Sequence, residues 1–382
     1  MIYLDHNAIT PMRPEAVAAV ERALRTFGNP SSVHAAGRAA RDVLDGARGR
    51  VARALSARPA EVVFTSGATE SAAMAVRGAL ATAGRRALAV TAVEHPCVLD
   101  LARELARDEG VPVQVVPVDG RGVLDLEALR QAVNEETAVV CCMLANNETG
   151  VLQPVAEVAA AARRAGALFL CDAVQAVGKI PVEVFALGAD LVAITGQKFG
   201  GPRGAGALWI RPDLGLRPLF GGHQERGRRA GTENLPAIAG LGAAIEAASA
   251  GRGAEAPRIG ALRDRLEAGL LAAVPRSRVN GAGAERLPTT ASIAFEGCDS
   301  EALLIAMDLE GICASAGAAC TSGSTRPSHV LSAMGLSANE ARATIRFSVG
   351  WSTTAEEVEA ALRIVPPLVE RVRREIPLPP SP

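Results

Sequence analysis

The sequence predicts an α/β fold in which a large domain holds a mostly parallel sheet and a smaller α+β domain is appended to it. Two observations predict this architecture. From about residue 60 to 210, short β-rich runs alternate with alanine-rich amphipathic stretches, and this order builds a parallel sheet that helices cover on both faces. Strands and a long helix follow again after residue 257. A chain of 382 residues is long enough to bury cores for both units.

The large sheet is expected to take its strands from short apolar runs that turn residues separate. These runs are "EVVFTS", "ALAVTAVEH", "VPVQVVPVD", "AVVCCMLAN", "ALFLCDA", "DLVAITG" and "GALWIR". The helices between them are predicted at 69–81, 97–109, 124–134 and 155–165. Binding sites in such sheets lie at the carboxyl ends of the strands, so the polar residues that follow the strands are expected to converge. They are Thr69, His95, Asn147, Asp172 and Lys198.

The second half of the chain predicts where one domain ends and the next begins. Residues 234–273 have a helical pattern that "AGRGAEAP" at 250–257 is expected to break. The strands "TTASIAFEG", "GICASAG" and "ATIRFSVG" and a helix at 354–374 then indicate the small domain. We therefore predict a large domain at 13–250, a small domain at 1–12 and 257–375 that carries a mobile cysteine loop, and a disordered tail at 376–382.

Charge and composition argue against several classes of partner. The net charge is −1, from 40 basic and 41 acidic residues that are mixed along the chain, so neither nucleic acid nor a membrane is an expected partner. The start, "MIYLDHNAIT", lacks the basic and then apolar order of a signal peptide. A cytoplasmic protein is therefore expected.

The cysteines predict neither a metal site nor a disulfide framework. There are seven, an odd number, and none forms a C-x-x-C pair. Cys141, Cys142 and Cys171 lie in apolar runs and are expected in the core. Cys320 lies in "SAGAACTSGS", which is too rich in glycine and serine for a packed strand, so we expect it to be exposed.

Lysine is scarce in this chain, and its scarcity singles out Lys198. Of the 40 basic residues, the only lysines are Lys179 and Lys198. Arginine carries charge equally well but cannot supply a neutral amine near pH 7, which a nucleophile or base needs. Lys198, in "TGQKFGG", follows a predicted strand and is expected to take part in the chemistry. Lys179 is in a turn before Pro181 with no polar cluster near it in sequence, and it is taken as structural.

Four of the converging positions suit pyridoxal 5'-phosphate when they are taken together. The helix that begins near Thr69 could bind a phosphate, although ordinary capping explains the same residues equally well. A carboxylate at the end of an apolar strand, Asp172, needs a cationic or hydrogen-bonding partner, and a protonated pyridine nitrogen is one. The ring of His95 could stack on a flat cofactor and carry protons. With Lys198 as covalent partner, this cofactor has what it requires.

The motifs of the chain resemble those of the cysteine desulfurases, in the class V aminotransferase group of fold type I pyridoxal-phosphate enzymes. The matching stretches follow one another in the family's order along nearly the whole chain. They are "YLDHNAITP", "GNPSSVHAAGR", "VVFTSGATES", "VEHPCVLD", "ANNETGVLQPV", "DAVQAVGKIPV", "TGQKFGGPRGAG", "GTENLPAIAG", "CTSGSTRPSHVLSAMG" and "IRFSVGWSTT". The form "CTSGS" and the length of its loop resemble the iron–sulfur and nitrogen-fixation branch.

The resemblance implies a role for each matching position. Cofactor contacts fall on Ala68, Thr69, His95, Asn147, Asp172, Gln175, Thr195, Gln197, Lys198 and, from the partner subunit of a homodimer, Thr232. Lys198 would bond the cofactor covalently, and Asn147 and Gln175 would lie near its ring oxygen. Lys198, Cys320 and His95 would be catalytic. Arg346 would bind the substrate's carboxylate, and Asn147 would also contact the substrate.

The implied activity converts L-cysteine to L-alanine and leaves the sulfur on Cys320 as a persulfide. An iron–sulfur scaffold or a sulfur-carrier protein would then accept the sulfur. No resident metal is implied, although Cys320 could transiently hold a nascent iron–sulfur cluster. The alternatives are a selenocysteine lyase, another class V aminotransferase or lyase, and a non-catalytic partner in cluster assembly.

Three positions depart from the family pattern. Gln197 stands where a histidine usually precedes the lysine, and Thr195 where a serine is usual. Glutamine can donate a hydrogen bond to phosphate but brings no charge, so cofactor affinity is expected to be weaker or less dependent on pH. Ile9 replaces the commoner threonine near the substrate.

Overall fold

The computed structural model describes residues 1–317 and 327–375. Their strands are β1 (Ile2–Tyr3), β2 (Val62–Thr65), β3 (Ala87–Thr91), β4 (Val113–Val116), β5 (Thr137–Met143), β6 (Leu168–Asp172), β7 (Leu191–Thr195), β8 (Gly206–Ile210), β9 (Ser277–Val279), β10 (Thr290–Phe295), β11 (Ile312–Cys313) and β12 (Thr344–Ser348). Their α-helices are α1 (Pro14–Leu24), α2 (Ala35–Ala54), α3 (Ala68–Thr82), α4 (Pro96–Glu109), α5 (Leu126–Ala132), α6 (Val155–Ala165), α7 (Leu235–Ala273), α8 (Ser300–Leu309), α9 (His329–Ala333), α10 (Ala338–Arg342) and α11 (Ala355–Glu375).

A large sheet of seven strands organises the first part of the chain. Within the described ranges its strand order is β2-β8-β7-β6-β5-β3-β4. Strand β8 pairs antiparallel with both of its neighbours, and the other pairs are parallel. The seven strands lie at the seven runs that the sequence indicated, and the α/β fold class is confirmed.

Helices bury both faces of this sheet, as its apolar strands require. Neighbouring residues of β6 show the alternation, because Phe169 joins a core with α2, α6 and the first half of α7, whereas Leu170 joins a core with α3 and α4. Successive side chains of a strand point to opposite faces. A strand that is apolar at every position is therefore buried on both sides.

The predicted helix break at 250–257 is wrong, because α7 continues without interruption through it to Ala273. Two tertiary contacts hold this stretch in the helix: Glu255 accepts two hydrogen bonds from Arg13, at 2.9 and 2.6 Å, and Ile259 is buried in the second core. Pro257 is exposed, so the carbonyl that it leaves without a donor can bond water. Packing therefore overrides the weak helix propensity of the glycines here.

A second core lies under a three-stranded antiparallel sheet in the order β12-β10-β9. Leu266 of α7, Phe347 of β12 and Val369 of α11 belong to this core. The N-terminal segment joins it, since β1 pairs in parallel with β11. Helix α7 thus contributes its first half to one core and its second half to the other. The division into two domains at the stated boundaries stays a prediction.

Among residues 1–317 and 327–375, no helix combines the length and the apolar character that crossing a membrane requires.

Candidate active site

One cavity of about 500 Å³ lies at the carboxyl ends of the large sheet's strands. The five residues that were expected to converge all line it: Thr69 after β2, His95 after β3, Asn147 after β5, Asp172 at the end of β6 and Lys198 after β7. Ala68, Gln175, Thr195, Gln197 and Arg346 line it as well, as does Ile9. The doubly wound sheet brings these residues together, because its parallel strands all end at the same edge.

The start of α3 forms one end of the cavity. Gly67 is the N-cap residue, and no side chain forms a capping hydrogen bond with the first turn of the helix. The first N–H groups of a helix without such a cap suit an anion. Gly206 keeps the turn close to the sheet, since a Cβ there would lie 2.7 Å from Gly67 Cα.

Thr195 and Gln197 form the neighbouring wall. The Thr195 hydroxyl donates to Oε1 of Gln197 at 2.6 Å. The amide of Gln197 is thereby oriented, and its NH₂ group is the end that remains to donate to an anion in the cavity. This wall offers hydrogen bonds to a phosphate without a histidine's charge.

Asp172 is a buried carboxyl group in the cavity. Burial raises its pKa to about 6, although the Val174 N–H, which donates to Oδ1 at 2.9 Å, and the nearby Lys198 both lower it. A cationic hydrogen-bond donor, such as a protonated ring nitrogen, would bring this pKa down again. The site therefore has an anion without a complete partner.

His95 is held as a neutral ring at the N-cap of α4. Its Nδ1 accepts a hydrogen bond from the Cys97 N–H at 3.2 Å, which places the ring proton on Nε2. Burial is the main cause that lowers the pKa of His95 to about 4; the charges of Lys198 and His329 act in the same direction, and Asp100 opposes them. The ring is uncharged at neutral pH and still carries one exchangeable proton.

The amine of Lys198 is anchored by the N-terminal segment. A 3₁₀ turn, Gly196–Lys198, follows β7 and directs the side chain into the cavity. Its Nζ donates to the carbonyl oxygens of Asn7 at 2.8 Å and Ala8 at 2.7 Å. The chain's start therefore positions a residue that lies almost two hundred positions later.

Lys179 lies in a turn, as expected, but it belongs to the same polar network, and the expectation that no polar cluster surrounds it was wrong. Its Nζ donates to Gln175 Oε1 at 2.6 Å and to Asn7 Oδ1 at 3.3 Å. Burial holds its pKa well below the usual value, as do the charges of Lys198 and Arg346. The contact with Asn7 spans 172 positions of sequence, which explains why a local pattern missed it. The scarcity of lysine, applied to both lysines, was the signal that could have found it.

Arg346 is buried in β12 at the opposite wall. It donates to the Asn147 carbonyl oxygen at 3.0 Å and to Asp5 Oδ1 at 2.8 Å. Its Nε and the Asn147 Oδ1 are buried polar atoms without a hydrogen-bond partner among the described residues. Such atoms mark the place of a polar ligand, and a carboxylate fits an arginine fork. Asp5, which sequence reasoning missed, orients the guanidinium.

Two candidate residues lie outside this cavity. Thr232 is exposed and lines a different, smaller cavity with Ser66 and Arg229, so its assignment to a partner subunit stays a prediction. Cys320 lies outside the described residues. Cys141, Cys142 and Cys171 are buried core thiols, as predicted, and burial raises their pKa well above the usual value.

The residues present fit pyridoxal 5'-phosphate. An uncapped helix start and the Gln197 amide suit its phosphate, the under-partnered Asp172 suits its ring nitrogen, and Lys198 supplies the amine for its aldehyde. The orphaned Nε of Arg346 is a donor that suits a substrate's carboxylate, and the orphaned Oδ1 of Asn147 is an acceptor that suits a donor group of the ligand.

Comparison with known proteins identifies the family. Residues 2–361 match the family "Aminotransferase class-V". A cysteine desulfurase of Cereibacter sphaeroides is 47% identical over 376 residues, which cover 97% of this chain and 96% of the relative. The cysteine desulfurase NifS of Azotobacter vinelandii is 46% identical over 380 residues, or 98% of this chain and 94% of the relative.

A solved structure agrees with these sequence relatives. A "NifS-like protein" superposes with a TM-score of 0.90 at 34% identity and covers 97% of this chain and 99% of its own. The agreement in sequence and in structure thus extends over nearly the full length of the chain. The chain belongs to the class V aminotransferase family.

Proposed function

We propose that the chain is a pyridoxal-phosphate-dependent cysteine desulfurase that supplies sulfur for iron–sulfur cluster assembly. The observation that carries the proposal is the convergence of Lys198, Asp172 and the uncapped start of α3 on one cavity, with Arg346 on the opposite wall. The relatives of about 45% identity that carry this name support the choice of reaction.

When bound, pyridoxal phosphate supplies an electron sink that makes the Cα proton of an amino acid acidic. Asp172 would accept the hydrogen bond of the ring nitrogen and favour its protonated form. Ala68, Thr69, Thr195 and Gln197 would hold the phosphate, while Asn147 and Gln175 would hold the ring oxygen. Lys198 would be the residue that holds the cofactor covalently, and its amine is placed to take up the Cα proton of the substrate.

His95 would lie against one face of the cofactor ring and is able to exchange a proton through Nε2. Its neutral state serves this role, since a charged ring would repel the nearby Lys198. Arg346 holds the substrate's carboxylate in a bidentate bond, and its own position is fixed by Asp5 and by the Asn147 carbonyl. The substrate's Cα is thereby held next to Lys198 and His95.

Cys320 is the proposed sulfur acceptor. Its thiolate attacks the substrate's sulfur, an S–S bond forms while the Cβ–S bond breaks, and the persulfide stays on the enzyme. The step balances because Cβ, which loses the sulfur, gains the proton that makes alanine's methyl group. A glycine- and serine-rich loop suits the transfer of this sulfur to an acceptor protein.

We also propose that the chain forms a homodimer, passes its sulfur to a protein acceptor and is located in the cytoplasm. A homodimer in which Thr232 completes the partner's phosphate site is supported by the exposure of Thr232, which does not line the cavity of its own chain. The acceptor is proposed to be an iron–sulfur scaffold or a sulfur carrier. A cytoplasmic setting is supported by the cysteines of the described residues, none of which forms a disulfide bond. The domain division at 250–257 remains part of the proposal.

The test is mass spectrometry of the loaded enzyme after incubation with cysteine. A persulfide on Cys320 and an equal amount of alanine are expected. Lys198→Ala should abolish the absorbance band near ~420 nm that marks the bound cofactor, and Cys320→Ser should keep the band but form no persulfide. Cys313→Ser is the matched control and should behave like the unchanged enzyme.

Other outcomes would replace the proposal. A persulfide on Cys97, which also lines the cavity, would show that the acceptor is misassigned. Dependence on a keto acid, with activity that survives Cys320→Ala, would indicate an aminotransferase. Strong preference for selenocysteine would indicate a lyase, and a colourless protein that borohydride cannot link to cofactor would indicate a non-catalytic partner.

A further inference from the structure

Lys179 fixes the orientation of a neighbouring amide that faces the cavity. Its Nζ lies 2.6 Å from Gln175 Oε1, and an ammonium or amine at this distance donates to an oxygen. The amide NH₂ of Gln175 consequently points the other way, where it donates to the Asn7 carbonyl oxygen at 3.0 Å. One N–H of that group is left for a ligand in the cavity that Gln175 lines.

We propose that Lys179 is a positioning residue that presents the Gln175 NH₂ group, rather than its oxygen, to the acidic ring oxygen of the bound cofactor. The proposal rests on the cofactor assignment made above. Without Lys179 the amide of Gln175 can rotate by half a turn, and its oxygen would then face an oxygen anion, which is repulsive.

The backbone beside Lys179 is built for a fixed direction of the side chain. Gly178 has φ of +79°, and a Cβ there would lie 2.9 Å from Phe199 Cβ and 3.1 Å from Ala248 Cβ. Only glycine fits this position. The turn is therefore locked against the large domain's core, and the lysine it carries has one available path to Gln175 and Asn7.

The surroundings explain why the residue is lysine in a chain that uses arginine almost everywhere. Lys198 and Arg346 are the cations that act on Lys179, and its own charge acts on the buried His6. A guanidinium cannot lose its proton beside these cations, whereas an amine can.

The test is the pH titration of the bound cofactor's visible absorption in the full-length holoenzyme. The Gln175 NH₂ group, as a hydrogen-bond donor, stabilises the anionic form of the cofactor's ring oxygen. It therefore lowers the pKa of the proton that this oxygen shares. In Lys179→Met, we therefore expect the midpoint of the titration to rise by about half a unit to one unit, the size of one hydrogen bond. Glu183→Gln, an exposed charge four positions on, is the matched control with no expected shift.

A double-mutant cycle separates positioning from general damage. If Lys179 acts through Gln175, the Lys179→Met shift disappears in a Gln175→Ala background. An unchanged midpoint in Lys179→Met, or an equal shift in both backgrounds, would overturn the proposal. If Lys179→Met does not fold, Lys179→Gln takes its place in the same cycle and is judged in the same way.

The unchanged enzyme distinguishes this inference from the proposed function. If it shows no visible cofactor band, the cofactor assignment fails and the proposal fails with it. If the band is present but the cycle shows no coupling, the cofactor assignment stands and only the role of Lys179 is rejected.

Discussion

The hydroxyl of Thr195 donates to Oε1 of Gln197 at 2.6 Å, and this bond leaves the Gln197 NH₂ group as the donor for a phosphate. Hydrogen bonds to charged groups contribute about 1.5–3 kcal/mol. We therefore expect Gln197→Ala to weaken cofactor binding by about 10- to 100-fold, as measured by titrating apoprotein with pyridoxal phosphate.

The matched variants test whether charge matters at this position. Gln197→His should bind the cofactor more tightly at pH 6 than at pH 8.5, because only the protonated ring adds a charge. The unchanged enzyme should show no such step from residue 197, and Gln131→Ala, on the exposed side of α5, should bind normally. Equal affinities for Gln197→Ala and the unchanged enzyme would exclude the contact.

The buried carboxyl group of Asp172 should destabilise the apoprotein at high pH. Its folded pKa of about 6 lies above the usual 3.8, so its contribution is fully present below about 3.8 and is lost as the pH rises through about 6. In urea unfolding of apoproteins, the stability of Asp172→Asn relative to the unchanged chain should rise by on the order of 1 kcal/mol between pH 5 and pH 8.

Two comparisons check the origin of this effect. Asp42→Asn, on the exposed face of α2, should show no gain with pH. The cofactor should reduce the effect in the unchanged protein, since a protonated ring nitrogen gives Asp172 its missing partner. A relative stability that falls with pH would mean that the pKa of Asp172 is lowered rather than raised.

Arg346→Lys should raise the KM for cysteine by about 10- to 100-fold, the loss of one charged hydrogen bond. Lysine cannot keep the bonds to Asp5 and the Asn147 carbonyl oxygen and also hold a carboxylate with two donors. Steady-state kinetics measure the change, and the cofactor band should remain. Arg265→Lys, an exposed partner of Glu359, is the control; similar KM values for both variants would argue against a substrate role.

The uninterrupted path of α7 predicts that Gly253→Ala stabilises the protein by about 0.5–1 kcal/mol, the helix propensity difference. Gly253 is exposed, and nothing lies within 4 Å of a Cβ built there. Gly46 in α2 has the same surroundings, so Gly46→Ala should gain a similar amount. Urea unfolding compares the two; a loss of stability at position 253 alone would mean that the helix is broken there.

The predicted and observed site agree where the evidence was local. His95, Asp172 and Lys198 each follow an apolar run, and the end of a strand can be read from the pattern of a few residues. Lys179 and the 250–257 segment were misjudged for one shared reason. Each is stabilised by a residue from the first thirteen positions, Asn7 or Arg13, and no local pattern contains such contacts.

The sequence alone determined the α/β class, the strands of the large sheet and the residues at their carboxyl ends, because periodicity and turn chemistry act over a few residues. Only the tertiary structure decided that the N-terminal segment lies between Lys179, Lys198 and Arg346, and that α7 runs unbroken through both cores. These features depend on contacts between residues more than a hundred positions apart, whose free energy exists only once the chain has folded.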